Sequence, residues 1–329
     1  MIAKISTAIA AAVLAMAPAA SAGPALLFDA SNRAVLYAED FDTEWHPASL
    51  TKVMTAYVTF QAIKDGVLTL ETKISCSAIC NSQGPTKLGL SVGATLTVKT
   101  ALEALIMKSA NDVAVMLAEA VAGSHEDFVD YMNGTADRLG MTRTKFGNAN
   151  GLPDPNQVAT VRDMSKLAAA VVREFPQYAP MWSLLEMRVD KLHVHTHNDL
   201  LMNFAGADGM KTGFICDSGF NVIASATRQG QKLIVVVFGE ATKQERSIRA
   251  VKLLEHGFRI YPWASVLAWQ TLDNLPVDEN AKMTVTKPAR VNSVVCGTGG
   301  PAVARVSKHR TAVGDSGTRR HHARSRGHG

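Results

Sequence analysis

A serine and a lysine three residues apart, Ser49 and Lys52, stand at the start of a long apolar segment. Apolar residues recur at three- and four-residue steps from Val53 to Ile63, a pattern typical of a helix with a buried face. Pro47 stands where a helix usually begins. Both side chains would then lie on one helical face, about 5–6 Å apart at Cβ. The hydroxyl would lie near the helix N-terminus, where backbone N–H groups favour developing negative charge. This arrangement could hold a nucleophile beside its base.

The Ser-x-x-Lys pattern alone is weak evidence, because average composition produces it about once by chance in a chain of this length. Ser49 could instead be a helix cap, and Lys52 a solvated side chain. Two further segments of the chain carry the other groups that such chemistry requires.

The first of these segments is Ser109-Ala110-Asn111, which interrupts a helical pattern. Residues 100–107 are predicted to be helical, and a strongly apolar helix resumes over 111–121. A break between two helices would place a hydroxyl and an amide in a cleft. Ser109 could then carry a proton, and Asn111 could orient a substrate or the Lys52 amine. The alternative is that one of the two simply caps the second helix.

The second segment is Lys211-Thr212-Gly213, within a short predicted strand over 209–214. It supplies a cation, a hydroxyl and a position without a side chain. A glycine inside a strand often marks the close approach of a ligand or of another backbone. An extended peptide could lie along this edge, with its C-terminal carboxylate held by Thr212 and Lys211. The alternative is a surface strand that ends in a turn.

The elements around these motifs change in type along the chain. Two apolar runs, residues 25–28 and 34–37, flank a turn-forming sequence and predict a β-hairpin. The middle of the chain predicts, in order, a loop with short strands over 65–99, a helix over 126–139, a polar loop over 142–159 and a helix over 160–174. The last part predicts strands over 185–194, 220–226 and 233–238, and then a helix over 244–258.

This order of elements predicts an α+β fold, in which an antiparallel sheet is flanked by helices and carries an inserted helical subdomain. The N-terminal and C-terminal strands would complete a single sheet. From residue 261 the pattern weakens, and residues 261–300 would hold at most a short β segment. Residues 301–329 contain almost no apolar side chains and are predicted to be a disordered tail.

The N-terminus has the pattern of a secretory signal peptide. Lys4 supplies the positive charge, residues 9–16 the apolar region, and Ala20-Ser21-Ala22 a small-residue cleavage site. Cleavage would remove residues 1–22 and leave a mature chain beginning at Gly23. A retained anchor is the alternative, although the apolar segment is too short for a good membrane span. We therefore expect a periplasmic protein.

The formal net charge of +5 comes from the tail, where seven Lys and Arg residues face only Asp315. The body of the chain, residues 23–300, is slightly acidic. A nucleic-acid-binding domain should carry its basic patch on its own surface. The composition therefore argues against nucleic acid as the main partner.

A pair of cysteines and a set of three histidines could be taken for a disulfide and a metal site. Cys76 and Cys80 are close enough in sequence to form a small disulfide loop in an oxidising compartment, and the sequence leaves this pairing open. No His/Cys set has the spacing of a zinc site. His193, His195 and His197 alternate, which we interpret as one face of a strand rather than as metal ligands. We therefore expect no metal.

Ser-x-x-Lys, Ser-x-Asn and Lys-Thr-Gly in this order are the signature of class A β-lactamases and penicillin-binding proteins. On these residues the chain resembles the low-molecular-mass penicillin-binding proteins, the serine D-alanyl-D-alanine carboxypeptidases. The resemblance covers residues 25–260 and includes the segments 25–29, 47–55, 109–112, 146–152, 208–213 and 253–258. It implies a β-lactamase/transpeptidase-like fold, a catalytic domain over 23–260 and no cofactor.

The resemblance also implies a role for each motif residue. Ser49 would attack the carbonyl between the two terminal D-alanines of a peptidoglycan stem peptide, and Lys52 would take its proton. Lys52 would have to be neutral near neutral pH, a state favoured by burial and by a nearby cation. Ser109 would pass a proton to the leaving amine, while Asn111 would help to orient the substrate.

Other residues would hold the substrate. The backbone N–H groups of Ser49 and Phe214 would form an oxyanion hole, typically worth about 3–4 kcal/mol per donor. Lys211 and Thr212 would bind the substrate carboxylate, assisted by Arg246. Water would then release the enzyme. β-Lactams, which mimic the D-Ala-D-Ala end, would acylate the serine and stay.

The chain departs from the family pattern at several places. Phe214 replaces a histidine found after Lys-Thr-Gly in some members, and His197 stands where some members have an arginine. Cys216 lies near the same strand, and we interpret it as a buried inert thiol rather than a redox-sensitive one. The family's β-rich C-terminal domain and amphipathic anchor are hard to find after residue 261, which leaves membrane attachment doubtful.

Three readings of the function follow from the resemblance. The main one is a D,D-carboxypeptidase that trims stem pentapeptides to tetrapeptides. The alternatives are a D,D-endopeptidase that cuts cross-links between stems, and a catalytically silent wall-binding protein. A β-lactamase is disfavoured, because it needs a second base for fast deacylation and because Ser-Ala-Asn replaces Ser-Asp-Asn.

Overall fold

The computed structural model describes residues 23–189, 192–267, 270–282 and Cys296. The strands, in chain order, are β1 (Ala25–Asp29), β2 (Val35–Glu39), β3 (Lys73–Ser75), β4 (Thr95–Thr97), β5 (Glu186–Val189), β6 (Leu192–His195), β7 (Ala207–Ile215), β8 (Gly219–Arg228) and β9 (Gln231–Glu240). The helices are α1 (Thr51–Lys64), α2 (Ala78–Ser82), α3 (Val98–Met107), α4 (Asn111–Ala122), α5 (His125–Arg138), α6 (Val161–Glu174), α7 (Ala179–Trp182), α8 (Leu200–Asn203) and α9 (Lys243–Leu267). Short 3-10 turns cover Ala48–Leu50 and Pro176–Tyr178.

The main sheet has the strand order β2-β1-β9-β8-β7, and every neighbouring pair is antiparallel. The β1–β2 hairpin predicted at the start of the chain therefore joins β8 and β9, which correspond to two of the strands predicted near its end. Their junction is the β1–β9 pair, in which Leu27 lies opposite Val235. This confirms the single antiparallel sheet and places β7 at one edge of it.

The sheet is covered by helices on both faces, because its central strands bury side chains in both directions. Leu26 of β1 and Val236 of β9 belong to the large core that includes α1 and α6. Their neighbours Leu27 and Val235 point to the other face and join a smaller core with Leu254 of α9. The predicted α+β fold with helices flanking the sheet is confirmed.

Helix α1 lies at the centre of the molecule. The sequence predicts a helix with one face in a core, but every residue from Thr51 to Phe60 is buried. The reason is that α1 contacts α3, α4 and α5 of the inserted helical subdomain as well as α6. A serine and a lysine at the front of this helix are therefore held by a rigid, fully packed element.

The predicted continuous strand over 185–194 is wrong. The structure has two strands, β5 and β6, which pair antiparallel with Glu186 opposite His195 and Val189 opposite Leu192. The alternating pattern of the sequence is real, but a polar Asp190-Lys191 step separates its two halves. Periodicity cannot distinguish one alternating strand from two halves that fold back on each other.

The predicted loop over 65–99 contains β3, β4 and the short helix α2. Ser77 caps α2, its Oγ accepting the Cys80 N–H at 3.0 Å, and Cys76 and Cys80 form a disulfide. In the described ranges no helix combines the length and apolar character needed to cross a bilayer. The predicted signal peptide and tail, with most of residues 283–300, lie outside the described residues.

Candidate active site

Ser49 lies in the 3-10 turn Ala48–Leu50, which leads directly into α1. Two glycines from distant segments, Gly151 and Gly213, lie against this turn. A Cβ at Gly151 would lie 1.9 Å from the Ala48 carbonyl oxygen, and one at Gly213 would lie 3.1 Å from the Ser49 backbone nitrogen. Glycine at both positions lets the loop before α6 and the edge strand β7 approach the serine this closely.

Lys52 lies one helical turn after Ser49 and is 1% exposed. Its Nζ is 3.1 Å from Ser49 Oγ, 2.6 Å from Asn111 Oδ1 and 2.5 Å from the Asn150 carbonyl oxygen. The structure thus brings together the predicted serine, lysine and asparagine. It adds the backbone carbonyl of Asn150, which belongs to none of the three motifs.

The surroundings of Lys52 favour its neutral form. Burial is the main cause, and the positive charge of Lys211 adds to it, so that together they hold the pKa of Lys52 well below its ordinary value; Asp112 opposes them in part. The contribution of Lys211 also shows that the third motif lies close to the first two. A buried amine of lowered pKa beside a hydroxyl is the arrangement that a general base requires.

The hydrogen bonds around Lys52 determine which atom donates to which. A neutral amine has two N–H donors and one lone pair. The Asn150 carbonyl oxygen can only accept, and so can Asn111 Oδ1, whose partner Nδ2 donates to the Gly84 carbonyl oxygen at 3.0 Å. Both N–H groups of neutral Lys52 are therefore used, and its lone pair is left to accept the hydroxyl proton of Ser49.

Ser109 lies in the break between α3 and α4, as predicted. It adopts a left-handed backbone conformation with φ of +62°, which is costly for a residue with a side chain. Its Oγ is buried and has no hydrogen-bond partner among the described residues. A buried hydroxyl without a partner is uncommon, so this oxygen has a hydrogen-bonding capacity that no described group uses.

Lys211 and Thr212 lie on β7 and are 2% and 8% exposed. Lys211 Nζ donates to the Thr212 carbonyl oxygen at 3.0 Å. Burial, followed by the nearby charge of Arg246, lowers the pKa of Lys211 to about 7. Among the described strands β7 pairs only with β8, so its outer edge can accept an extended peptide.

Arg246 lies in the first turns of α9, and it is 3% exposed. Its Nε has no hydrogen-bond partner in the described part of the chain, while Nη2 lies 3.4 Å from Ser247 Oγ. Burial lowers its pKa to about 10, although Asp199 opposes the shift. A buried guanidinium with an unpaired donor near Lys211 forms a cationic pair suited to a carboxylate.

Three residues that support the site were not predicted as site residues: Asn150, Gln83 and Asp112. The Asn150 side chain donates to Gln83 Oε1 at 2.9 Å, which ties the loop that holds its carbonyl to the segment after α2. Asp112 accepts backbone N–H groups from Leu88 and Gly89 at 3.1 and 2.8 Å. Its position directly after Ser-x-Asn was a usable signal. The contribution of Asn150 is made by its backbone carbonyl, and no sequence pattern pointed to it.

Two further predicted features lie at the end of β7. The ring of Phe214 packs against Phe220, with the ring centroids 4.2 Å apart. The interpretation of Cys216 as a buried inert thiol is wrong, because Cys216 is exposed and forms a disulfide with Cys296. The two cysteines are 80 residues apart in the sequence, so no local pattern could have paired them.

Comparison with known families agrees with this geometry. The model of the Peptidase S11 family, described as D-alanyl-D-alanine carboxypeptidase, matches residues 11–242. The chain is 36% identical over 262 residues to the D-alanyl-D-alanine carboxypeptidase DacC of Escherichia coli (strain K12), covering 78% of this chain and 66% of that protein. It is 33% identical over 246 residues to DacA of Haemophilus influenzae, covering 73% and 63%. The chain therefore spans slightly less than two thirds of the length of these curated relatives.

Solved structures give the same result for the fold. Penicillin binding protein 5 from Haemophilus influenzae is 33% identical with a TM-score of 0.71, and the match covers 74% of this chain and 72% of that one. Penicillin-binding protein D2 from Listeria monocytogenes, solved in an ampicillin-bound form, is 30% identical with a TM-score of 0.64, and the match covers 72% and 97%.

Proposed function

The chain belongs to the Peptidase S11 family of D-alanyl-D-alanine carboxypeptidases, and we propose that it acts as a serine D,D-carboxypeptidase. Its substrate would be a peptidoglycan stem pentapeptide that ends in D-Ala-D-Ala, and its products a tetrapeptide and free D-alanine. The observation that carries this proposal is the buried amine of Lys52, whose Nζ lies 3.1 Å from the hydroxyl oxygen of Ser49.

Acylation begins when Ser49 Oγ attacks the carbonyl carbon of the last peptide bond. The hydroxyl proton passes to Lys52 Nζ as the C–O bond forms. Lys52 can accept it because its pKa is lowered, and Asn111 and Asn150 remain as acceptors for the resulting ammonium group. The backbone N–H groups of Ser49 and Phe214 are the proposed donors to the carbonyl oxygen as it becomes negative.

The tetrahedral intermediate collapses when the C–N bond breaks and the leaving amine gains a proton. Ser109 Oγ is the proposed carrier, since it is buried and has no partner among the described residues. It would give its own proton to the amine and recover one from protonated Lys52. A water molecule would then hydrolyse the acyl-enzyme on Ser49 and release the shortened stem.

The substrate's C-terminal carboxylate is the group that separates a carboxypeptidase from a general hydrolase. We assign its binding to Lys211 and Thr212 on β7, with Arg246 behind them. Gly213 allows the substrate and the Ser49 turn to approach the same strand. β-Lactams carry a carboxylate in the equivalent place, so we propose that they acylate Ser49 as well.

The location we propose is the periplasm, reached through a cleaved signal peptide over residues 1–22, with residues 23–260 as the catalytic unit. The disulfide between Cys76 and Cys80 supports an oxidising compartment.

The activity is tested by incubating the purified protein with a stem pentapeptide and measuring free D-alanine. We expect release by the wild type and by Ser91→Ala, which removes an exposed serine outside the site. Ser49→Ala should release none and should not form a covalent band with fluorescent penicillin. Labelling of Ser49 without D-alanine release, combined with cleavage of cross-linked muropeptides, would identify an endopeptidase instead. No labelling of a folded wild type would contradict both activities.

The closeness of Gly151 to the serine turn leads to a stability prediction. Gly151→Ala is expected to displace the Ser49 turn, because its Cβ would lie 1.9 Å from the Ala48 carbonyl oxygen at a φ of +80°. Both the melting temperature and the rate of penicillin acylation should fall.

Gly66→Ala is the matched control, since its φ is +76° and no atom lies within 4 Å of the added Cβ. That variant should lose only the conformational cost of about 1–2 kcal/mol and keep the wild-type acylation rate. Equal acylation by the two variants would show that the contact with Ala48 does not position Ser49.

A further inference from the structure

Three exposed side chains converge on one face of the β5–β6 hairpin, apart from the catalytic groups. They are Glu186, His193 and His195. Glu186 lies directly opposite His195 in the strand register, and His193 is two residues away on the same strand. Because alternate residues of a strand share a face, all three point to the same side. One nitrogen or oxygen atom from each lies within 4.8 Å of the other two.

We propose that this cluster is a binding site for a divalent transition-metal ion, with zinc as the natural occupant. Imidazole nitrogen and carboxylate oxygen are both zinc ligands, with bonds of about 2.0–2.2 Å. Tetrahedral coordination at that distance places neighbouring ligand atoms about 3.4 Å apart. Here His193 Nε2 is 2.9 Å and His195 Nδ1 is 3.9 Å from the same Glu186 oxygen. These separations bracket the required spacing, and exposed side chains can rotate to reach it.

Three protein ligands leave a fourth position open to water. The site is therefore an open one on the protein surface, and we expect affinity in the micromolar range rather than the tight binding of a closed structural site. It differs from the alternation seen in the sequence, because Glu186 from the partner strand is the third ligand in place of His197. The expectation of no metal rested on the spacing of histidines and cysteines, which does not include Glu186.

One neighbouring charge acts against a bound metal. Arg188 lies opposite His193 on the same face of the hairpin, and it is the cation that would oppose a bound metal. His197 lies beyond β6 and outside the cluster.

A metal at this place would connect the two strands of the hairpin. A two-stranded hairpin is marginally stable alone, and ligands from both strands would fix its register. The chain leaving β6 is tied to the active-site strand, since Asn198 Nδ2 donates to the Gly209 carbonyl oxygen on β7 at 3.2 Å. We therefore assign the metal a stiffening role beside the substrate strand, with no part in the chemistry at Ser49.

The proposal is tested by titrating the metal-free purified chain with zinc chloride in a calorimeter. The background is the His321→Ala/His322→Ala variant, which removes adjacent histidines of the C-terminal tail that could bind zinc themselves. We expect one zinc ion per chain in this background. Glu186→Gln, His193→Ala and His195→Ala should each weaken binding by at least about 100-fold. Cobalt in place of zinc should give a visible absorption band that the three variants lose.

Arg188→Ala is the matched control, because it also removes one charge from the same face of the same hairpin. It should bind zinc as well as the wild type or more tightly. Hydrogen exchange over residues 186–195 should slow when zinc is added to the wild type, but not to His195→Ala. No zinc binding in the wild type would overturn the proposal. So would binding that survives when His193→Ala and His195→Ala are both added to the tail-variant background, or binding that disappears when only His321 and His322 are replaced.

Discussion

Replacing Lys52 with methionine is expected to lower the rate at which a β-lactam acylates Ser49 by about 10²–10⁴-fold, the usual range for loss of a general base. Methionine fills the buried space left by the lysine stem but cannot accept the hydroxyl proton. The two oxygens of Asn111 and Asn150 that accept from Lys52 would lose their donor. The variant should therefore also be less stable, by about 1–3 kcal/mol for each buried acceptor left unpaired.

Stopped-flow or gel measurement of penicillin acylation checks this prediction, alongside a thermal melt. Lys52→Arg separates the two effects, because a guanidinium keeps the donors but stays protonated and cannot act as a base. Lys64→Met is the matched control, since Lys64 lies at the exposed end of the same helix. It should acylate at the wild-type rate. A folded Lys52→Met or Lys52→Arg variant that acylates within about tenfold of wild type would remove Lys52 from the role of base.

Replacing Lys211 with glutamine is expected to lower the second-order rate constant for acylation by about tenfold to a hundredfold. The variant loses a charged hydrogen bond to the substrate carboxylate, which is worth about 1.5–3 kcal/mol. It also removes one of the two causes that lower the pKa of Lys52. The pKa of Lys52 should therefore rise, and the fall of activity on the acid side should move to higher pH.

The pH profile of the wild type should be bell-shaped. Activity rises with pH as Lys52 loses its proton and becomes a base. It falls again as Lys211, whose pKa is about 7 in the free enzyme, loses the charge that holds the carboxylate. Lys211→Arg should abolish the fall on the alkaline side, because an arginine at that position stays protonated. Measuring acylation rate constants against pH for the three proteins tests both limbs. An unchanged alkaline limb in Lys211→Arg would show that another group titrates there.

The sequence predicted those parts of the site that depend on the identity of side chains. Ser49, Lys52 and Asn111 meet as the motif spacing indicated, and Lys211 lies close enough to influence Lys52. The carbonyl of Asn150 was not predictable in the same way, because every residue has a carbonyl and only the fold decides which one reaches an amine.

The other differences have equally definite causes. Residues 185–194 alternate as a strand should, but only three-dimensional pairing shows that they form two strands with Glu186 facing His195. The burial of α1 on all sides follows from the helices packed around it, which a local periodicity does not report. Local patterns thus identified the side chains and many of the elements, but not how neighbouring elements pair and pack.

The disulfide between Cys216 and Cys296 closes a covalent ring that contains β8, β9 and all of helix α9. A ring this long restricts the denatured chain strongly: in the chain-entropy treatment, a loop of this size is worth about 4–5 kcal/mol at 25 °C. That is comparable to the whole net stability of many domains. Material produced in a reducing cytosol would lack this contribution and should unfold at markedly lower urea concentration than material exported and oxidised.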